Sequence, residues 1–321
     1  MAVTDMSDYS RWNTPVIRHK GIASFMALPR VESGLHTITL GRSHLDIFYR
    51  RRSSPVTLIV FAAATDRDDA HRPPFFSGMA LAENLPCSFI SVSDPAFTVD
   101  PTLRIGWYLG ADNEPIQQEL GPILDKLIGQ GPGAEHCLLS GTNRAVLLGG
   151  SAGGFAALWF GAQLNHPAHV IAMNPQTDMT KYMTLFVAHA ARVSCGWDPG
   201  PLKTTTEIDK AGAEGATLLH ERFTVDLIEY YRALAHQPRI TYFQNSTDLH
   251  LHTHAEPFLQ VTHDAQAIIK DWGEGHIPPP KDELLTYLLP ATAPYRWMER
   301  IVQKIPPAKI QEIVAALRRL Q

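Results

Sequence analysis

Short apolar runs recur along the chain, and more polar segments separate them. Continuous runs of this kind are typical of strands that are buried on both faces of a sheet. The predicted strands are 56–61, 88–92, 144–148, 169–173, 239–243 and 265–271.

Helical patterns lie between most of these runs, and examples are 79–85, 116–128, 154–164 and 257–262. Strands that alternate with helices predict βαβ units and a mostly parallel sheet. Because crossovers between parallel strands are right-handed, helices should cover both faces of that sheet. The predicted class is α/β, with a single domain over residues 1–321.

Two segments depart from this alternation. Residues 35–50 alternate between apolar and polar positions around Gly41 and Arg42, which predicts two antiparallel strands at an edge of the sheet. Residues 177–236 contain several helical stretches and no convincing strand. Because this interval separates two strands that should be sequential in the sheet, we interpret it as an inserted helical cap over the carboxyl ends of the strands.

The composition is that of an ordinary globular protein. Hydrophobic residues make up 45% of the 321 positions, so a large core can form without disulfides or metals. The formal net charge of −4 gives no basic surface, which argues against nucleic acid as a partner. The chain has no apolar run of about 18 residues, so we expect no membrane span.

The cysteines and the amino terminus bear on the compartment. Cys87, Cys137 and Cys195 are an odd number and include no C-x-x-C pair, which is typical of a reducing compartment. The first residues show neither the basic region nor the apolar stretch of a secretory signal. We therefore expect a cytoplasmic location.

The sharpest chemical signal is GGSAGG at 149–154, which follows a predicted strand and opens a predicted helix. A G-x-S-x-G sequence in this context is typical of a nucleophile elbow, a sharp turn that lifts the Ser151 hydroxyl out of the sheet. Gly149 and Gly153 remove the Cβ atoms that would collide in such a turn. The following helix supplies free N–H groups and the positive end of its dipole. The alternatives are a glycine-rich loop that cradles a phosphate and a tight turn without chemistry.

A serine needs a base to become a nucleophile, and the base needs an orienting carboxylate. His276 stands out as the base because it lies in the loop GEGHIPPP, directly after the last predicted strand. Asp248 follows the strand at 239–243 and should lie at the same sheet edge as the serine turn. Asp271 is the second candidate for the acid and Asp178 the third, and a helix cap is the alternative role of Asp248.

The order of strand, G-x-S-x-G turn, helix, acid and histidine resembles the α/β-hydrolase superfamily over about residues 35–290. The segments PPFFSG, SDP, GWYLG, GGSAGGFAAL, NSTD and GHIPPP are similar to bacterial serine hydrolases. Some of these belong to surface-polysaccharide or accessory-secretion gene sets and act as esterases or acyltransferases. The resemblance implies an α/β-hydrolase fold with a catalytic triad of Ser151, Asp248 and His276.

One sequence feature departs from many lipases and esterases of that superfamily. The sequence FAAAT at 61–65 replaces the H-G-G-G sequence that forms part of their oxyanion hole. Oxyanion stabilisation requires only backbone N–H groups at the right place. We predict that Ala152, directly after the nucleophile, and Ala63 supply them, with Ala64 as the alternative to Ala63.

Further residues at predicted strand ends are candidates for substrate binding. Trp107 and Tyr108, in the glycine-rich segment GWYLG, could wall a pocket or stack on a sugar, and plain packing is the alternative. Asn174, Gln176 and Thr177 follow a predicted strand and could bind polar groups of the substrate.

A cluster of histidines raises the question of a metal. His250, His252 and His254 alternate in DLHLHTH and would share one face of an extended segment, an arrangement that could bind zinc. A helix is expected to start there, however, and support of Asp248 or helix capping is the favoured interpretation. We predict neither a metal nor a cofactor.

The predicted function is that of a serine esterase that acts on a small-molecule or glycan-linked carboxylic ester. One alternative is an acyltransferase in polysaccharide or glycoprotein modification, which would use the same triad. A binding protein on a hydrolase scaffold without catalysis is another, and a metal-dependent hydrolase is a third. The predicted cap, with the sequence TTTEIDKAGAEGAT, is too polar to favour a long lipid substrate.

Overall fold

A mostly parallel sheet of nine strands organises the part of the chain that the computed structural model describes, residues 7–67, 72–131 and 143–293. In chain order the strands of this part are β1 (Val16–His19), β2 (Gly34–Thr39), β3 (His44–Arg50), β4 (Val56–Phe61), β5 (Ser88–Ser93), β6 (Gly110–Ala111), β7 (Glu114–Pro115), β8 (Arg144–Gly150), β9 (Ala168–Met173), β10 (Arg239–Asn245) and β11 (Ala265–Lys270). β6 and β7 form a separate two-stranded ribbon.

The order of strands across the large sheet is β1-β2-β3-β5-β4-β8-β9-β10-β11. β3 is antiparallel to both of its neighbours, and all other neighbouring pairs are parallel. One edge of the sheet therefore holds the carboxyl ends of six parallel strands, which are β5, β4, β8, β9, β10 and β11. Side chains that follow these strands meet at that edge, which is where α/β proteins bind their ligands.

Helices cover both faces of the sheet. They are α1 (Ile22–Met26), α2 (Met79–Ala82), α3 (Ile116–Ile128), α4 (Ser151–Gln163), α5 (Thr184–Cys195), α6 (Thr205–Arg222), α7 (Leu227–Ala233), α8 (Glu256–Leu259) and α9 (Lys281–Thr292). Along β4, Ile59 and Phe61 join an apolar cluster with α3 and α4, whereas Leu58 and Val60 join a cluster with α9. This alternation confirms a strand that is buried on both faces.

Within the described ranges, no helix has both the length and the apolar character that crossing a bilayer requires. Cys87 and Cys195 are buried, free cysteines, and Cys137 lies outside the described residues.

The predicted strands are present, with differences at their ends. β8 and β10 each continue beyond the predicted residues, to Gly150 and Asn245, because glycine and amide residues extend a strand without extending its apolar run. The antiparallel pairing of β2 and β3 is confirmed, but its predicted place at the edge is wrong. The edge is formed by β1, whose four residues VIRH are too few to show an apolar pattern.

The interval 177–236 is helical, as predicted, and contains α5, α6, α7 and a 3₁₀ turn at Met179–Lys181. α5 and α6 pack closely, and a Cβ on Gly212 would lie 2.5 Å from the Cβ of Thr184. α7 packs against α4, where the Tyr231 hydroxyl donates to the carbonyl oxygen of Leu158 at 2.8 Å. The role of this interval as a cap stays a prediction.

A buried carboxylate, Asp94, fixes the turn that follows β5. Its oxygens accept the N–H groups of Ala96 at 3.0 Å and Tyr108 at 2.8 Å. Trp107 and Tyr108 both adopt left-handed φ angles, 49° and 58°, which cost energy for residues with a side chain. The neighbouring Gly106 is required because a Cβ there would lie 2.6 Å from Asp94 Oδ2. Burial raises the pKa of Asp94 to about 6, against the lowering effect of the two N–H donors.

The raised pKa of Asp94 predicts a stability effect that depends on pH. The folded-state pKa lies above the ordinary value of 3.8, so the contribution to stability is present below pH 3.8 and is lost as the pH rises through about 6. Between about pH 5 and pH 7.5, we expect the unfolding free energy of the wild type to fall by about 1 kcal/mol relative to Asp94→Asn. Urea unfolding of both proteins at the two pH values measures this double difference, in which the fixed cost of the substitution cancels. Equal pH dependence of the two proteins would contradict the prediction.

Candidate active site

Ser151 lies at an abrupt junction between strand and helix. β8 ends at Gly150 and α4 begins at Ser151, with no connecting residue between them. Ser151 has a φ of 53°, in the left-handed region that residues with a side chain rarely adopt. Such strain, held in place by the surrounding structure, is typical of functional sites. The geometry is that of the predicted nucleophile elbow.

Three glycines make this junction possible. A Cβ on Gly149 would lie 2.0 Å from the carbonyl oxygen of Gly153, and a Cβ on Gly153 would lie 2.6 Å from that of Phe61. A Cβ on Gly154 would lie 2.7 Å from the Cβ of Pro175. All three distances are shorter than real Cβ contacts, so α4 can approach β4 and the end of β9 only without side chains here.

Asp248 and His276 form a hydrogen-bonded pair at the same edge of the sheet. Asp248 follows β10, and His276 lies in the loop between β11 and α9. His276 Nδ1 lies 2.5 Å from Asp248 Oδ2, and Asp248 Oδ1 accepts the N–H of His250 at 3.0 Å. The two residues differ in their exposure to solvent, because Asp248 is buried whereas the His276 side chain is 41% exposed.

The charge of this pair follows from its surroundings. Burial raises the pKa of Asp248, but the hydrogen bonds from His276 and from the His250 N–H hold it below its usual value. Asp248 is therefore a carboxylate at neutral pH and accepts the proton of His276 Nδ1. In this tautomer the lone pair of His276 is on Nε2, which is the atom that a general base needs.

Buried amide side chains tie the His276 loop to the strand ends. Asn245, the last residue of β10, donates from Nδ2 to the carbonyl oxygens of Gly273 at 2.7 Å and Gly275 at 2.6 Å. Asn174, directly after β9, donates from Nδ2 to the carbonyl oxygen of Ile277 at 2.8 Å and accepts the N–H of Asn245 at 2.7 Å. Asn174, expected as a residue that could contact substrate, thus holds the loop of the candidate base.

Ser151 Oγ receives a hydrogen bond from Gln176 Nε2 at 3.0 Å. Among the hydrogen bonds of the described chain, none joins Ser151 to His276. The structure therefore brings Asp248 and His276 into contact. It places Ser151 at the same edge of the sheet, after β8, which is separated from β10 by β9. The action of the three as a triad is taken up under the proposed function.

The side chains of Trp107 and Gln176 contact each other next to Ser151. Trp107 Nε1 donates to Gln176 Oε1 at 2.6 Å, and both side chains are buried. Tyr108 is buried as well, and its hydroxyl accepts the N–H of Ala62 at 2.7 Å and donates to the carbonyl oxygen of Val92 at 3.0 Å. Thr177 contacts His254 through its backbone N–H and its hydroxyl.

The candidate oxyanion donors belong to two elements, α4 and the loop after β4. Ala152 is the second residue of α4, where backbone N–H groups have no partner within the helix. The N–H of Ala62 is occupied by Tyr108, which leaves Ala63 and Ala64 as the candidates from the loop after β4. Ala63 is half-buried and Ala64 is exposed.

The histidines of DLHLHTH do not share one face. A π-helical turn over Leu251–Ala255 separates them, so that His252 is exposed beside Glu256 whereas His250 and His254 are buried. Burial lowers the pKa of His250 and lowers that of His254 to about 3, so both are neutral at physiological pH.

A different set of potential metal ligands comes together, since one ligand atom each of Asp248, His250 and His276 lies within 4.8 Å of the others. The two alternative acids have other partners. Asp271 accepts the N–H of Gly273 at 2.9 Å, and Asp178 accepts that of Thr180 at 3.0 Å.

Comparisons with known proteins bear on the fold of this chain. No family model and no curated protein matches the chain. A solved capsule O-acetyltransferase of Neisseria meningitidis serogroup A, in complex with caged gadolinium, is 17% identical with a TM-score of 0.51, and the alignment covers 78% of this chain and 90% of that one. An acetyl xylan esterase from Paenibacillus sp. R4 is 9% identical with a TM-score of 0.48, over 85% of this chain and 92% of that one. The sheet topology and the similarity to the capsule O-acetyltransferase show that this chain has the α/β-hydrolase fold.

Proposed function

We propose that the protein is a serine hydrolase that cleaves carboxylic esters through an acyl-enzyme on Ser151. The observation that carries the proposal is that the strained Ser151 junction lies at the same edge of the sheet as the pair of His276 and Asp248. In this pair, His276 Nδ1 and Asp248 Oδ2 are 2.5 Å apart. A strained serine at a helix start and an imidazole held in one tautomer by a buried carboxylate are the parts that nucleophilic acyl transfer needs.

In the proposed mechanism, Ser151 Oγ attacks the ester carbonyl carbon while its proton moves to His276 Nε2. Asp248 keeps His276 in the reactive tautomer and stabilises the imidazolium that forms. The negative charge on the carbonyl oxygen is bound by the N–H groups of Ala152 and Ala63, each contributing about 3–4 kcal/mol to the transition state. The alcohol leaves with the proton from His276, and a second nucleophile, activated by the same imidazole, releases the acyl group.

The exposure of the site favours water as that second nucleophile. The His276 side chain is 41% exposed, so solvent reaches the base. Ser151 is only 9% exposed, so a long acyl chain would have to displace the side chains that cover it. Leu249 and Ile277, which flank Asp248 and His276, are exposed apolar side chains that could contact an acyl or alcohol portion. The substrate we propose is a small ester, which includes an acetylated glycan.

Transfer to an acceptor hydroxyl is the second candidate, because the same acyl-enzyme can react with either nucleophile. The capsule O-acetyltransferase that shares the fold carries out a reaction of this kind according to its name.

A fluorophosphonate probe should label the wild type at Ser151, because the probe reacts with a serine that has been activated by an imidazole. Ser151→Ala should abolish labelling. Ser246→Ala, which removes an exposed serine after β10, is the matched control and should label like the wild type. Intact-protein and peptide mass spectrometry measures the adduct. A folded wild type that stays unlabelled would contradict the proposed function.

Asp248→Asn should lower kcat/KM for p-nitrophenyl acetate by about 10³–10⁴-fold, because an amide no longer fixes the His276 tautomer. Asp271→Asn is the matched control in the neighbouring loop. Its amide oxygen can still accept the N–H of Gly273, so its activity should stay close to that of the wild type. Initial rates of the three proteins decide the assignment, and an active Asp248→Asn variant would remove Asp248 from the mechanism.

The size of the acyl group can be tested with p-nitrophenyl esters of increasing chain length and with acetylated sugars. We expect acetyl esters to react faster than octanoyl esters by about tenfold or more, since Ser151 is only 9% exposed and a long acyl chain would have to displace the side chains that cover it. A preference for octanoyl esters would contradict a small-ester site. Acetylated acceptor sugars among the products, detected by mass spectrometry, would identify transfer in place of hydrolysis.

A further inference from the structure

The side chain of Gln176 is fully buried, and both of its hydrogen-bonding ends are occupied by protein atoms. Trp107 Nε1 lies 2.6 Å from Oε1, and Ser151 Oγ lies 3.0 Å from Nε2. The backbone N–H of Gln176 also donates to the carbonyl oxygen of Ser151 at 3.3 Å. Gln176 therefore contacts the candidate nucleophile through main chain and side chain at once.

The chemistry of Trp107 fixes the orientation of this amide. An indole N–H donates and has no lone pair to accept with, so the atom of Gln176 that faces it must be the carbonyl oxygen. The NH₂ group of Gln176 then faces Ser151, and Ser151 Oγ is the acceptor of the hydrogen bond. The hydroxyl hydrogen of Ser151 remains available for another acceptor, such as the imidazole of the proposed base.

Trp107 is itself held rigidly. Its φ of 49° lies in the left-handed region, and the next residue, Tyr108, is fixed by Asp94 through its N–H and by Ala62 through its hydroxyl. A continuous set of contacts thus runs from the buried carboxylate after β5, through the indole, to the serine after β8. Rigid support of this kind keeps a donor in place without reorganisation during a reaction.

We propose that Gln176 is a further catalytic residue, whose Nε2–H holds Ser151 Oγ as a hydrogen-bond acceptor and directs the hydroxyl proton toward His276. This inference rests on the proposed function. Gln176 gives up no proton: the O–H bond of Ser151 breaks toward His276, and its electron pair forms the bond to the carbonyl carbon. The hydrogen bond from Gln176 Nε2 to Ser151 Oγ strengthens as negative charge develops on Oγ, because hydrogen bonds to charged acceptors are stronger than those to neutral ones.

Gln176→Glu reverses this arrangement with little change in volume. The ionised carboxylate accepts the Trp107 N–H as before, but it offers Ser151 an acceptor in place of a donor and draws the hydroxyl proton away from His276. Because burial raises the pKa of a carboxyl group, the rates are compared at pH 7 and at pH 9, where the acid is ionised to a greater extent. We expect kcat for p-nitrophenyl acetate to fall about 100-fold, with KM changed by less than about threefold. The limiting rate of fluorophosphonate labelling should fall in parallel, while the concentration for half-maximal rate stays constant.

Trp107→Phe tests the same contact from the other side and guards against misfolding of the first variant. It keeps an aromatic ring but removes the N–H that orients the amide, and we expect kcat to fall about tenfold. Trp159→Phe is the matched control, because the Trp159 N–H donates to the Gln117 carbonyl oxygen at 3.1 Å, away from the Ser151 side chain. This control should have wild-type kcat, with thermal unfolding showing that all three variants are folded.

The outcomes separate this inference from the proposed function. A labelled, active wild type whose kcat is unchanged in Gln176→Glu would overturn the role of Gln176 and leave the serine hydrolase intact. A faster Gln176→Glu or Trp107→Phe enzyme would also overturn it, since the amide would then restrain the serine. A wild type in which Ser151 is not labelled would overturn both.

Discussion

The close approach of α4 to the ends of β4 and β9 is the constraint on which the rest of the site depends. Main-chain atoms occupy the positions where Cβ atoms of Gly149 and Gly153 would lie, so the strand passes into the helix without a connecting residue. Ser151 takes the left-handed φ that this junction imposes, at a cost of about 1–3 kcal/mol. Burial of most of α4 in the apolar cluster that also contains β4 and β8 offsets this cost. The packing of α4 therefore stabilises the strained backbone conformation of Ser151.

Around this junction, neutral amide side chains make several of the buried polar contacts. An amide group can be buried completely if its donors and acceptor are satisfied, whereas a buried charge carries a larger desolvation cost. The side chains of Asn174, Gln176 and Asn245 form hydrogen bonds to other groups of the same chain at the edge of the sheet. Asp248 is the buried charge of this group, and its ionisation is sustained by donors from His276 and His250. The site thus surrounds the buried charge of Asp248 with dipoles of fixed direction.

The sequence is informative wherever local pattern decides the structure. Continuous apolar runs predict the parallel strands, and the rule that strand ends share an edge predicts that Asp248 and His276 lie close together. The contact between Trp107 and Gln176 could not be predicted in this way, because it joins the ends of two separate segments through side-chain directions that no local periodicity encodes. The same holds for Asn174, whose position after β9 predicts the correct edge but leaves open whether it contacts a ligand or the His276 loop. For Asn174, the signal in the sequence is a polar residue directly after an apolar strand, which indicates the edge of the sheet and not the contact.

The register of the sheet sets the relative heights of the three proposed catalytic side chains. Gly150 pairs with Met173, Met173 pairs with Phe243, and Asn245 pairs with Lys270, so one continuous ladder connects the ends of β8, β9, β10 and β11. A slip of one residue in any of these pairs would move a strand end by about 3.3 Å and turn its side chains to the opposite face. Catalytic geometry tolerates displacements of only about 0.5 Å. Because the central residues of β8, β9 and β10 are buried, the apolar core selects the register of these three strands. The core therefore determines whether the serine and the imidazole can meet, and the contacts among the polar side chains refine a geometry that the strands have already set.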